Sequence, residues 1–199
     1  MFYLCSRITE KKMKEKVNDI VQLQTGIYAK SQPNAEVYYI QARHFDHNRD
    51  FITSVNPDLS FDKKLEKHFL QVGDVLVASK GYDYFAVAYK GIVKPAVASS
   101  MFMVLRIKDR KRILPEYLAW FINHPSTQTI LSGNSKGTSI PSLSKTDIGD
   151  LELTIPSIQK QECILNIQAL RQRETMIQQQ ITQLREQYIQ QSILNTLNK

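Results

Sequence analysis

The sequence predicts an α+β fold: a mainly antiparallel, β-rich domain over residues 1–156, followed by one long helix over residues 157–199. Three observations carry this. Short runs of β-branched and aromatic residues, separated by Gly, Pro and Asn turns, fill the first 110 positions. Residues 157–199 hold neither Gly nor Pro and are dominated by Gln, Leu, Ile, Glu and Arg, most of them good helix formers. A hydrophobic content of 42% in 199 residues supplies a real core for one domain of ordinary size plus an appendage.

Taken in order, residues 8–16 are a charged stretch, with Lys11, Lys12, Lys14 and Lys16 against Glu10 and Glu15, and read as a short solvated helix or a basic arm. Residues 17–23 alternate and read as a strand ended by Thr25-Gly26. Val37-Tyr38-Tyr39-Ile40 makes a second strand, and residues 43–60 a polar loop with Asn56-Pro57 as its turn. Val72-Gly73-Asp74 turns the chain into a short apolar strand, Val75-Leu76-Val77-Ala78, which Ser79-Lys80-Gly81 breaks. Residues 85–89 and Ile92-Val93 read as strands around a Lys90-Gly91 turn, and residues 96–107 as one further strand. Pro115 then opens a short helix that Pro125 stops. In that helix Tyr117, Leu118 and Phe121 share the core face, with Trp120 nearby. Residues 126–131 suggest a second short helix, and residues 132–138 a polar loop. Ser144 with Asp147 has the spacing of a helix cap, and residues 151–156 form an edge strand closed by Pro156.

The long helix carries a heptad seam. Leu170, Glu174, Ile177, Ile181, Leu184, Tyr188 and Gln191 fall at alternating spacings of four and three, and five of them are apolar: Leu170, Ile177, Ile181, Leu184 and Tyr188. Forty-three residues make a rod of about 64 Å, against a globule of roughly 40 Å. The seam therefore predicts pairing with another helix, a second copy of this chain first; Gln178 to Gln180, Gln190 and Gln191 suit a solvated outer face.

The net charge of +7 favours an anionic partner, nucleic acid before membrane surface. Cys5 and Cys163 have no metal-type spacing and fit a reducing cytoplasm. No apolar run reaches membrane-spanning length. No glycine-rich phosphate loop or dinucleotide fingerprint is present, so no cofactor is expected. His44-Phe45-Asp46-His47 brings ligand types together without a second cluster to complete a metal site. Asp58, Asp62 and Lys64 imitate a metal-dependent nuclease pattern. Three intervening residues leave no hairpin to present both carboxylates, and a turn is the better reading.

What remains is basic, aromatic and hydroxyl side chains on strand-end loops: Lys30, Arg43, His44, Lys80, Tyr82, Tyr84, Lys90, Lys94, Lys136, Thr138 and Ser139. Lys suits phosphates, Arg reads base edges, and neighbouring glycines let backbone approach a ligand. Ordinary turn chemistry with surface charge explains the same loops.

The order of segments resembles the specificity subunit of type I restriction–modification systems, and more narrowly one half of such a subunit. Residues 16–20 leading to Thr25-Gly26, Val72-Gly73-Asp74-Val75 leading to Lys80-Gly81, and Leu114-Pro115-Glu116-Tyr117-Leu118 each resemble a family segment. So do Gly137 through Ile140-Pro141, Asp147-Ile148 through Ile155-Pro156, and Pro156 followed by Gln161-Glu162. The resemblance implies a DNA target-recognition domain over residues 1–156 and a spacer helix over 157–199 that pairs with a second helix. It implies no catalysis in this chain; methyltransferase subunits, and indirectly a restriction subunit, supply the chemistry. One recognition domain and one helix, where the family has two of each, imply a half-subunit that homodimerises or a fragment of a longer chain. A pure interaction module built on the helix is the alternative, and a small nuclease a further one.

Overall fold

The computed structural model describes residues 14–33, 35–46, 48–52, 55–81, 83–134 and 141–197. The chain divides into two compact units, Met1–Gln161 and Glu162–Lys199.

The first unit is built on a four-stranded antiparallel sheet in the order β2-β7-β4-β5, with β2 at Val21–Thr25, β4 at Val75–Ala78, β5 at Ala86–Ala88 and β7 at Phe102–Ile107. Every residue of β4 is buried, as a central strand covered on both faces requires. Beside this sheet, β3 (Tyr38–Ile40) and β6 (Ala96–Ala98) pair in parallel. Ile40, Leu76, Phe85, Phe102 and Val104 fill the core. Val37, Tyr39, Leu59 and Val97 form a smaller cluster. The first and last strands of the unit, β1 (Lys14–Lys16) and β8 (Glu152–Thr154), pair antiparallel. Helix α2 (Pro115–Asn123) packs on β4 and β5. There Asn123 accepts the Ala86 N–H at 2.9 Å and donates to the Ala86 carbonyl at 2.7 Å. One side chain thus satisfies both backbone groups of Ala86 on the β5 edge.

Several elements differ from the sequence reading. Residues 14–16 form a strand rather than a helix or a free arm; residues 8–13 lie outside the described residues. Val17–Ile20 is a helical turn, α1, and only Val21 onward is strand. Val17 and Ile20 are both buried, and a spacing of three serves one face of a helical turn as well as it fits a loose alternation. Residues 96–107 are two strands in two sheets: the Phe102 N–H turns back to the Ser99 carbonyl at 2.9 Å, and the Ser99 N–H joins Ile40 at 2.8 Å. Ile92-Val93 is not a strand; the Tyr89 hydroxyl donates to the Val93 carbonyl and Gly91 takes a φ of 73°, which turns the chain away. Pro125 opens α3 (Pro125–Asn134) rather than only ending α2, and in α2 Ile122 rather than Phe121 joins Tyr117 and Leu118 in the core. The Ser144 cap forms as expected before α4 (Lys145–Gly149), with Asp147 N–H on Ser144 Oγ at 3.1 Å and Ser144 N–H on Asp147 Oδ2 at 2.7 Å.

Helix α5 runs over Ile158–Leu197, 40 residues or about 60 Å, and its first turn belongs to the first unit. No helix among the described residues is long and apolar enough to cross a membrane.

Candidate nucleic-acid interface

The hairpin of β4 and β5 presents its connecting loop at one end of the sheet. Lys80 sits there, exposed, directly after β4. Ser79 is buried and donates its hydroxyl to the Met101 carbonyl at 3.2 Å, which anchors the base of the loop. The Gly81 N–H donates to the Pro141 carbonyl at 2.9 Å, and the Leu143 N–H to the Ser79 carbonyl at 2.8 Å. This short antiparallel bridge ties the Lys80 loop to the chain that re-enters after residue 140. Gly81 holds a φ of 102°, open to glycine and strained for any side chain. Tyr82, Lys136, Thr138 and Ser139 lie outside the described residues. Tyr84 is buried rather than displayed, and its hydroxyl has no partner among the described residues.

The segment after β3 comes to the same end. Ala42–His44 form a 3-10 turn in which the His44 ring caps the start: Nδ1 accepts the Gln41 N–H at 3.2 Å. Burial first, and the Arg43 charge second, push the His44 pKa below its ordinary value. The ring is buried, and its Nε2 lies 3.4 Å from the Arg43 Nε. Arg43 is exposed, and its guanidinium lies 3.9 Å from the Asp58 carboxylate. Asp62, the second carboxylate of the nuclease-like pattern, accepts the Lys64 N–H at 2.8 Å and caps the 3-10 turn Lys63–His68. Among the described residues no three His, Cys, Asp or Glu side chains gather as metal ligands; His47 is outside them.

Between these two loops lies a cleft of about 470 Å³, with Phe45, Asp46 and Arg49 on one wall and Lys80, Asp83 and Phe85 on the other. Arg49 is absent from the residues the sequence singles out. Its guanidinium carbon lies 5.8 Å from the centroid of the Phe85 ring, a contact between two loops that no local pattern encodes. The remaining basic residues lie elsewhere. Because Val75 faces Ala88 in the β4–β5 register, Lys90 and the neighbouring Lys94 lie beyond the other end of the hairpin, roughly 20 Å from Lys80 at about 3.3 Å per residue. Lys30 is exposed in the segment after β2, next to Ala29, whose N–H donates to the Tyr39 hydroxyl at 3.3 Å.

Comparison with known proteins decides the family. The family model described as "Type I restriction modification DNA specificity domain" matches residues 9–194. The chain belongs to this family. Among solved structures it is similar to the type I restriction–modification S subunit from M. genitalium, at 14% identity and a TM-score of 0.54, covering 83% of this chain and 40% of that one. It is also similar to the HsdS subunit from Thermoanaerobacter tengcongensis, at 11% identity and a TM-score of 0.54, covering 86% and 40%. A chain from a structure on complex assembly and conformational transition of the type I R-M system matches at 12% identity, with a TM-score of 0.51 and coverage of 85% and 40%. At these identities the likeness shows the fold, and this chain spans about 40% of the length of each. No curated protein matches it.

Two segments that carry the family likeness prove to be buried polar joints of this specificity domain. Asp74 is fully buried and takes Arg106 in a two-bonded pair, Nε to Oδ1 at 2.8 Å and Nη2 to Oδ2 at 2.7 Å. Oδ2 also accepts the Gln71 N–H at 2.8 Å, which closes the Val72-Gly73 turn; Gly73 there has a φ of 86°. The bond to Asp74 holds the Arg106 pKa above its already high ordinary value. Gln161, in the first turn of α5, is likewise fully buried; it accepts the Leu114 N–H and donates to the Arg112 and Pro156 carbonyls, each at 2.8 Å.

In the second unit, Leu170, Ile177, Ile181, Leu184 and Tyr188 are all exposed, from 43% at Ile181 to 76% at Tyr188. Ile167, also exposed, extends the same spacing one step towards the N-terminus. Ile189, Ile193 and Leu197 follow each other at intervals of four, off the seam and equally exposed.

Proposed function

We propose that this chain is a non-catalytic DNA-recognition subunit of a type I restriction–modification system, one half of a bipartite reader. The observation that carries the reading is convergence. The segment from Ala42 to Arg49 and the Lys80 loop meet around a cleft with basic side chains on both walls, and the chain re-entering at Pro141 is bridged to the Lys80 loop. Lys80 and Lys136 hold backbone phosphates, and Arg43 reaches a base edge. Lys90 and Lys94, roughly 20 Å away, meet a different stretch of the duplex backbone. The exposed seam of α5 pairs with a second copy, and the two-fold dimer reads a palindromic site with separated halves. Methyltransferase subunits bound to this assembly supply the chemistry, with the restriction subunit joining indirectly, in the cytoplasm where the DNA is.

The test is binding of the chain with its modification subunits to a selected duplex and a scrambled one across a salt series. Lys80→Ala and Lys136→Ala are expected to weaken both duplexes and to reduce the slope of log affinity against log salt by about 0.9 each. Arg43→Ala is expected to narrow the gap between the duplexes. Wild-type behaviour of all three variants on both duplexes would place the DNA on another face.

A further inference from the structure

We infer that Arg49 is a sequence-specificity residue of this domain, its guanidinium reading a guanine edge in the major groove; this rests on the DNA-recognition reading above. Four features of the cleft point to it. Arg49 is half-buried in the cleft wall, while Arg43 in the same segment is an exposed side chain beside Asp58. The Arg49 guanidinium lies over the Phe85 ring, its central carbon 5.8 Å from the ring centroid, a face on which a planar guanidinium stacks. No carboxylate among the described residues pairs with it: the ion pairs there use Lys14, Lys16, Arg43, Arg106 and Arg112. Asp46 is on the same wall but its Oδ1 is occupied by the Asn48 and Asp50 N–H groups, at 2.9 and 2.8 Å.

The backbone supplies the fourth feature. Arg49 is the one non-glycine residue with positive φ among the described residues, at 68°. Its N–H donates to the Asp46 carbonyl at 2.9 Å, and Phe45 bridges to Phe51, so the turn over-determines a conformation that an arginine does not choose alone. The turn aims a planar, always-charged donor pair into a cleft whose far wall carries Lys80. A phosphate needs only a positive point on an exposed surface, which Lys80 already provides. A planar guanidinium matches the O6 and N7 acceptors of guanine with two parallel bonds.

The probe is a duplex pool with a randomised stretch, selected with the full chain bound to its modification subunits. Wild type is expected to enrich a motif containing guanine at one position per half-site. Arg49→Gly suits the left-handed backbone better than arginine does, so the fold is retained, and Trp120 fluorescence on heating checks this. That variant is expected to lose the guanine preference at that position, roughly five- to hundred-fold, while other positions and scrambled-duplex affinity change little. Arg49→Lys keeps the charge but not the fork, and is expected to lose the same preference. A variant motif identical to wild type overturns the inference and leaves DNA recognition standing. Uniform weakening on all sequences makes Arg49 a phosphate contact and overturns it as well. Loss at a position that is not guanine overturns the assignment of the base. A wild-type chain that enriches no sequence overturns DNA recognition itself, and this inference with it.

Discussion

Replacing Gln161 by Leu is expected to cost the first unit a large part of its stability, although volume barely changes and no apolar contact is removed. Gln161 has no exposed surface, and its amide bonds the Leu114 N–H and the Arg112 and Pro156 carbonyls. The substitution removes the side-chain partner of one part-buried donor and two part-buried acceptors. A stranded group costs about 1–3 kcal/mol, and carbonyls relax more easily than an N–H, so about 3–5 kcal/mol is expected for the three. That is a substantial share of the roughly 5–15 kcal/mol that holds a domain together. Trp120 is the single tryptophan and lies in the first unit, half-buried and stacked on Tyr117 with ring centroids 5.3 Å apart. Its fluorescence in a urea titration therefore reports this unit and not the rest of α5. With an m-value of about 2 kcal/mol/M, a loss of 3 kcal/mol moves the midpoint down by about 1.5 M. Gln161→Glu sharpens the test. A carboxylate oxygen replaces the amide that serves two carbonyls, so the loss is larger at neutral pH. Burial raises the pKa of the introduced carboxyl above its unfolded value, and protonation restores one donor. The deficit therefore shrinks as pH falls through the raised pKa. A midpoint within about 0.3 M of wild type for Gln161→Leu would refute the reasoning.

Leu118, fully buried on α2, is expected to cost about 2–5 kcal/mol when replaced by Ala, and an unchanged Trp120 unfolding curve would show that this face has no core role. Ile181→Glu with Leu184→Glu places two charges on the exposed seam of α5 and is expected to convert a dimer to monomer in sedimentation while Trp120 unfolding stays as in wild type. A dimer that persists rejects this seam. His44 and His68 both have pKa values pushed down, by burial first and by Arg43 and Lys67 respectively. The unfolded chain binds protons more readily than the folded one, so their contribution is intact above about pH 6.5 and is lost as pH falls from there towards the lowered values. His44→Asn with His68→Asn, the first keeping an acceptor for the Gln41 N–H, is expected to reduce the loss of stability as pH falls below about 6.5. A slope equal to that of wild type would assign the pH dependence to other groups.

Legibility in the sequence follows how local each determinant is. Ser144 and Asp147 cap α4 with two bonds between neighbours three apart, and Pro115 opens α2 by its own fixed geometry, so both are readable. The helical seam is readable because a period needs only the helix itself. Residues 96–107 are one apolar run on paper and two strands in space, because the break depends on Ser99 finding Ile40 far away in sequence. The pairing of Lys80 with Ser142 ties the Lys80 loop to a segment far away in sequence, and nothing local to either one specifies the other. Arg49 escapes for the same reason: only Phe85, across the cleft, gives its position a meaning.

The same distinction explains why the family can be recognised from the chain while the sequence proposed to fill the cleft cannot. Asp74 and Gln161 are buried side chains that each satisfy several backbone or charged groups at fixed distances, and a substitute leaves those groups without that partner. Such joints accept one solution, so they read as motifs. At the cleft the constraint is the reverse. Lys80 is exposed, Arg49 is held only by a turn and a ring face, and neither satisfies a buried partner of its own domain. Exchanging them changes what the cleft binds at little cost to the fold, as the tolerance of surface substitutions predicts. A surface that must discriminate between duplexes has to leave its donors free for the ligand, and a free donor leaves no imprint on the sequence around it.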